Sequence, residues 1–147
     1  MKLFCVLLTI GLLVSYLPAA AQRRAAKPAV PQPASSFYAT YAYLTYTILD
    51  RTSDPQPVAA RGVGGTLALH PDGTYQKRLT LAGNGGTMRF EQDGRFTFAG
   101  NRISFAYTKN GQPRTDEGTF ELRNGVLTIT IQGYPTGNES TYTLRAQ

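Results

Sequence analysis

Gly118-Thr119-Phe120-Glu121-Leu122-Arg123-Asn124-Gly125-Val126-Leu127-Thr128-Ile129-Thr130-Ile131 alternates apolar and polar residues on both sides of one Asn-Gly pair. Strict alternation is the period of a strand with one buried face, and Asn-Gly is the favoured two-residue hairpin turn because both central positions need φ > 0. That turn sets Leu122 opposite Leu127 and Phe120 opposite Ile129, so both pairs share a face. The same grammar extends outward through the chain. Gly100-Asn101 sets Phe98 against Ile103 and Phe96 against Phe105, and Pro71-Asp72-Gly73 suits a three-residue loop that sets Leu69 against Tyr75 and Leu67 against Lys77. Read the same way, Gln92-Asp93-Gly94 pairs Phe90 with Phe96 and puts Glu91 opposite Arg95. Three longer loops keep phase in chosen registers: residues 83–86 bring Leu81 to Met88, residues 109–116 bring Phe105 to Phe120, and residues 132–141 bring Ile131 to Tyr142. A one-residue slip at any turn would send the next apolar set into solvent.

Phe37 to Asp50 has tyrosines and threonines that favour a strand, although Tyr41, Leu44 and Ile48 also lie near helical spacing. Taken as the first strand, it is followed by a long Pro-containing loop, residues 50–65, and by strands near 64–70, 74–82, 87–91, 95–99, 102–108, 117–123, 126–131 and 142–146. Turn signals about every ten residues and nearest-neighbour hairpins predict an all-β fold, an antiparallel up-and-down β-barrel of eight to nine strands. The expected inward face is Leu67, Leu69, Tyr75, Lys77, Leu79, Leu81, Met88, Phe90, Phe96, Phe98, Ile103, Phe105, Tyr107, Phe120, Leu122, Leu127, Ile129, Ile131, Tyr142 and Leu144.

The rest of the chain is organised around that domain, residues 37–147. Lys2, the apolar run 3–14 and Ala19-Ala20-Ala21 read as a secretory signal peptide, residues 1–21, cleaved before Gln22 and leaving no membrane-inserted segment. Residues 22–36, with Pro28, Pro31 and Pro33, read as a disordered Pro/Ala-rich linker. The only cysteine, Cys5, lies inside the signal, so the mature chain has neither a disulfide nor a thiolate metal ligand. The net charge of +6 is misleading, because Lys2, Arg23, Arg24 and Lys27 carry much of it and leave 11 basic against 9 acidic residues from Phe37 onward. A near-neutral barrel whose aromatics alternate into the apolar face is not a nucleic-acid binder.

Catalytic chemistry is sparse. His70 is the single histidine and flanks a turn, which excludes a histidine-rich metal site. Asp72, Asp93, Asp116 and Glu117 are expected at turns and in solvent. No nucleophile-elbow, phosphate-loop or zinc-protease pattern occurs. The expectation is therefore no enzyme, no cofactor and no metal. Function is expected on the inward face, where an eight-stranded barrel either fills itself or holds one small ligand. Tyr75, Lys77, Phe96, Phe105, Tyr107, Phe120 and Tyr142 are the candidate ligand-binding residues, Lys77 being the odd charge among apolar neighbours.

The phrases Gly65-Thr66-Leu67-Ala68-Leu69-His70-Pro71-Asp72-Gly73-Thr74-Tyr75, Gly100-Asn101-Arg102-Ile103-Ser104-Phe105 and Asn124-Gly125-Val126-Leu127-Thr128-Ile129 resemble the small bacterial lipocalin-like (calycin-like) domains of exported proteins. The resemblance spans most of residues 43–145. It implies a calycin-like barrel in a group of mostly unassigned function; the Gly-x-Trp phrase of true lipocalins is absent. The expected protein is an exported monomer, periplasmic or secreted, that binds a small apolar or amphipathic ligand. The alternative is a filled-core module that meets an envelope protein or surface through residues 50–65 or an exposed strand edge. Intact-mass measurement of the exported protein should show a chain that begins at Gln22 and carries no lipid; retention of residues 1–21 or a diacylglyceryl adduct would refute it.

Overall fold

The computed structural model describes residues 37–133 and 135–147. The signal-peptide and linker expectations for residues 1–21 and 22–36 lie outside the described residues. The elements are β1 (Thr40–Leu49), β2 (Val58–Ala59), β3 (Gly64–Leu69), β4 (Thr74–Gly83), β5 (Gly86–Ala99), β6 (Arg102–Lys109), β7 (Gln112–Arg123), β8 (Val126–Gln132) and β9 (Glu139–Ala146). Each long strand pairs antiparallel with the next, β1 pairs with β3 and also with β9, and the sheet closes on itself. The result is an eight-stranded up-and-down barrel with the two-residue β2 added beside the end of β1. No helix among the described residues is long and apolar enough to cross a membrane.

The short turns carry the expected registers. Leu122 faces Leu127 and Phe120 faces Ile129 across Asn124-Gly125, where both residues have positive φ. Phe98 faces Ile103, Phe96 faces Phe105, Leu69 faces Tyr75 and Leu67 faces Lys77. Leu81 also meets Met88.

Three expectations fail, each for a local reason. Gln92-Asp93-Gly94 is not a turn: segments 87–91 and 95–99 form one strand, with Phe90 paired to Leu79 and Phe96 to Phe105. Glu91 consequently faces Arg78, not Arg95. Gly94 is instead where β5 changes neighbours, since residues 86–93 pair only with β4 and residues 94–99 run along β6. A Cβ at Gly94 would sit 2.1 Å from the Ala106 carbonyl oxygen and 3.0 Å from the Tyr75 ring, so the close approach excludes any side chain. Second, residues 109–116 are not a loop; the chain turns at Asn110-Gly111, both with positive φ, and Phe105 meets Asp116 rather than Phe120. Third, the turn after β8 is two residues out of the expected register, with Ile129 opposite Tyr142 and Ile131 opposite Ser140. All three errors preserve parity, which is why nearly all of the expected inward face does point inward.

Met88 and Phe90 are the exceptions. They lie on the inward side of β5 but remain 45% and 44% exposed, because the β4–β5 hairpin extends past the end of β6 and has nothing above it. Phe37, by contrast, is fully buried although it precedes β1. Its ring packs on Phe96, Phe98 and Phe120 at centroid distances of 6.2, 5.4 and 5.0 Å and plugs the end of the barrel that carries the β5–β6 and β7–β8 turns. Tyr41 is pinned to it, donating its hydroxyl to the Phe37 carbonyl at 2.8 Å.

Gly94→Ala should lower stability by about 1–3 kcal/mol, since backbone must move to admit the methyl group. Gly125→Val should cost about 1 kcal/mol or more through its positive φ. Gly86→Ala, which meets open space, should stay within about 0.5 kcal/mol in urea unfolding. Equal midpoints for all three would contradict the bend at Gly94.

Candidate functional site

The end opposite the Phe37 plug is polar and open. There the barrel wall leaves a cleft lined by Tyr43, Tyr75, Lys77, Gln92, Asp116 and Tyr142, over a floor that includes Leu67, Phe105, Ile129 and Leu144. Its free volume is only about 20 Å³, room for about one water molecule. The core beneath is filled. Of the candidate ligand-binding residues, Tyr75, Lys77, Phe105 and Tyr142 line this cleft, and Tyr107 lines the adjoining surface groove that shares Lys77, Gln92 and Asp116 with it. Phe96 and Phe120 lie at the plugged end, packed on Phe37.

Local geometry explains how the cleft is built. In β1 a bulge at Leu44 shifts the register between Tyr43 and Thr45, so that after Tyr41 and Tyr43 the inward position passes to Tyr46, opposite Tyr142. That extra residue leaves Leu44 exposed on the outer face. The Tyr46 ring stacks on Tyr142 at 4.7 Å and 4°, and Tyr43 meets Tyr142 edge-on at 5.7 Å. Lys77, inward by its pairing with Leu67, reaches the same ring, with Nζ 4.7 Å from the centroid and donating to the Tyr142 hydroxyl at 3.2 Å. Tyr75 packs edge-on against Phe105 at 4.9 Å in the space that Gly94 leaves free.

Two polar groups in this cleft are left without full compensation. Tyr75 is 1% exposed and its hydroxyl has no hydrogen-bond partner. Lys77 forms no ion pair among the described residues, where the ion pairs are Arg78–Asp93 and Arg123–Glu121, both on exposed side chains. Burial holds the Lys77 ammonium below its ordinary pKa, an effect that the nearby Asp116 carboxylate partly offsets. Asp116, expected as a solvated turn residue, sits on β7 and accepts from the Tyr107 hydroxyl at 3.1 Å. The signal that could have found it is the turn at Asn110-Gly111; with that turn in place, alternation puts Asp116 opposite Phe105 and so indoors. His70 stays exposed at its turn and is not among the residues lining the cleft, and no group of three or more His, Cys, Asp or Glu that could hold a metal ion occurs among the described residues.

Desolvation raises the pKa of the Tyr43, Tyr75 and Tyr142 phenols well above the usual phenolic range, reinforced by repulsion from neighbouring phenolates, including Tyr46 for Tyr43 and Tyr142 and Tyr107 for Tyr75, and, for Tyr75 and Tyr142, by Asp116. The unfolded chain therefore releases these protons first as pH rises past about 10, and stability, intact below that pH, falls above it. In a spectrophotometric titration, ionisation of these three phenols should arrive together with loss of the folded circular-dichroism signal. Their reversible ionisation in a folded protein near pH 10 would show that the cleft is wetter than described.

No protein-family model matches the chain, and no curated protein matches it. Among solved structures, a crystal structure of a point mutant of the fluorescent protein UnaG matches at 10% identity and a TM-score of 0.40, over 76% of this chain and 96% of that one. That likeness is too distant to bring a ligand or an activity to this chain.

Proposed function

We propose that the chain is a small exported binding protein that takes one amphipathic molecule at the open end of its barrel. The observation that carries this reading is a pair of incompletely satisfied donors in one cleft, the Tyr75 hydroxyl, which has no hydrogen-bond partner, and the Lys77 ammonium, which has Tyr142 but no ion pair. An unpaired buried hydroxyl costs about 1–3 kcal/mol, and a half-buried ammonium held by one hydrogen bond and no ion pair adds a further penalty. A ligand oxygen, preferably anionic, satisfies both. The filled interior sets the binding mode. With room for about one water, the cleft accepts a head group and not a chain, so the apolar part of the ligand lies outward against Phe90 and Met88, the exposed apolar pair at the rim. This inverts a tail-inward mode. Binding, not catalysis, fits the residue set: the cleft offers a lysine, a carboxylate and phenols, with neither a nucleophile–base pair nor the histidine.

Anilinonaphthalene sulfonate, an anionic apolar dye, should bind one-to-one, and Lys77→Met should weaken it about tenfold while leaving neutral apolar dyes nearly unchanged. Lys77→Met and Tyr75→Phe should both fold at least as stably as the wild type, since Tyr75→Phe removes a hydroxyl without a partner and Lys77→Met a half-buried charge without an ion pair. Phe105→Ala should cost about 3–5 kcal/mol and alter dye affinity. If the wild type binds no dye and Phe105→Ala gains binding, the protein is a filled-core module and the ligand reading fails.

A further inference from the structure

The β4–β5 hairpin presents a second feature, a strand edge beside the cleft that includes the rim residues Met88 and Phe90. From Gly86 to Asp93, β5 pairs with β4 on one side and with no strand on the other. The direction of its backbone groups can be followed from its C-terminal half. The Phe96 amide donates to the Gly73 carbonyl, on the β4 side, and strand alternation carries that direction back to Phe90 and Met88. The amides and carbonyls of Arg89 and Glu91 therefore point away from β4, into the surface groove whose other side carries Tyr107, Thr108 and Lys109. Residues 84–91 are all exposed, Met88 and Phe90 among them, so this is an unpaired edge with apolar residues on one face and alternating charge on the other.

We infer that this edge pairs with the same edge of a second copy, antiparallel about a two-fold axis at Phe90. In that register Arg89 faces Glu91 of the second copy and the two exchange N–H and C=O bonds, and the symmetric pair does the same. Phe90 meets its own counterpart, and Met88 lies opposite Gln92. The charges select this register. Moving the axis to Arg89 sets two arginines face to face, and moving it to Glu91 sets two glutamates face to face, so only the axis at Phe90 opposes unlike charges throughout. No charge on the edge strand opposes this pairing from within, since Arg78, the β4 neighbour of Glu91, is already held by Asp93 at 2.6 and 2.9 Å. The occupant that fits is a strand of matching alternation, which the chain itself supplies. On this inference the monomer expected from the sequence associates into a weak, reversible dimer.

Sedimentation velocity over a rising concentration series should show the purified protein passing from monomer to dimer. Arg89→Glu and Glu91→Arg should each weaken that dimer about tenfold or more, because each sets like charges across the axis twice. An equimolar mixture of these two variants should dimerise again. In the mixed pair the all-acidic edge of one variant lies against the all-basic edge of the other, so unlike charges oppose each other at both contacts. Arg89→Pro, which removes an outward N–H without touching β4, should abolish dimerisation while keeping the strand spectrum, and serves if a charge reversal fails to fold. A wild type monomeric to millimolar concentration overturns the inference. So does a dimer indifferent to Arg89→Pro, or a mixture of the two folded reversals that stays monomeric.

Discussion

Closure of the sheet through β1 is the constraint on which the rest of the structure depends. β1 pairs with β9 along nearly its whole length, from Tyr41–Ala146 to Leu49–Glu139, while its other edge is shared between β3 and the two residues of β2. A closed barrel fixes every register at once, because a slip in one hairpin must be undone before the last strand meets the first. The bulge at Leu44 is part of that fit, lengthening one side of the β1–β9 ladder by a residue and turning the Tyr46 ring inward onto Tyr142. Closure also protects edges. Every strand in the body of the barrel has two neighbours, which leaves the overhanging half of β5 as a long unpaired stretch.

The two ends of the barrel are built on different physics. The plugged end is aromatic, where Phe37, Phe96, Phe98 and Phe120 meet in tilted and edge-on contacts that need no polar partners. The open end is made of rings with polar tips, Tyr43, Tyr46, Tyr75 and Tyr142, together with Lys77 and Asp116. Apolar packing there stops at the ring bodies. Above them each hydroxyl or charge must find a partner, and they succeed unevenly: Tyr46 reaches Ser140 at 3.2 Å, Tyr107 reaches Asp116, Tyr142 receives Lys77, and Tyr75 has none.

How much of this was legible in the sequence follows from what each residue type encodes. The two-residue turns at Gly100-Asn101 and Asn124-Gly125 state their own geometry, and the pairs around them were readable to the residue. Asp-Gly was ambiguous. In Pro71-Asp72-Gly73 the proline sets φ and Asp72 accepts from the Thr74 amide and hydroxyl at 2.9 and 2.7 Å, which locks a turn. In Gln92-Asp93-Gly94 the aspartate is drawn across the sheet to Arg78, and the glycine serves closeness to Ala106 rather than a positive φ. Nothing local distinguishes a glycine that turns a chain from one that lets two backbones touch. Reading residues 109–116 as one loop passed over the Asn110-Gly111 turn and hid the start of β7, and with it the inward position of Asp116. The cleft was therefore half legible: Lys77 and Tyr75 followed from a short turn, whereas Asp116 depended on a long hairpin. Phe37 was unreadable as a plug, since its burial depends on three distant aromatics and not on any periodicity of its own.

The polar cleft and the free edge share one origin. At Gly94 and again at Gly118 the chain passes from one neighbour to the next, and at both points a Cβ would collide with backbone oxygen, at 2.1 Å from Ala106 and 2.0 Å from Thr130. Below these crossings β5 and β7 run along β6 and β8 as barrel wall; above them each keeps only its other neighbour and rises as a hairpin. The space between the two hairpins is the way in to Lys77 and Asp116, and the unpaired side of one of them is the edge at Arg89 and Glu91. A side chain at either glycine would press strands apart that the barrel holds together. The two glycines thus let a small sheet close tightly at one end while remaining open at the other, and an open end is what gives a core this full any surface with which to recognise something else.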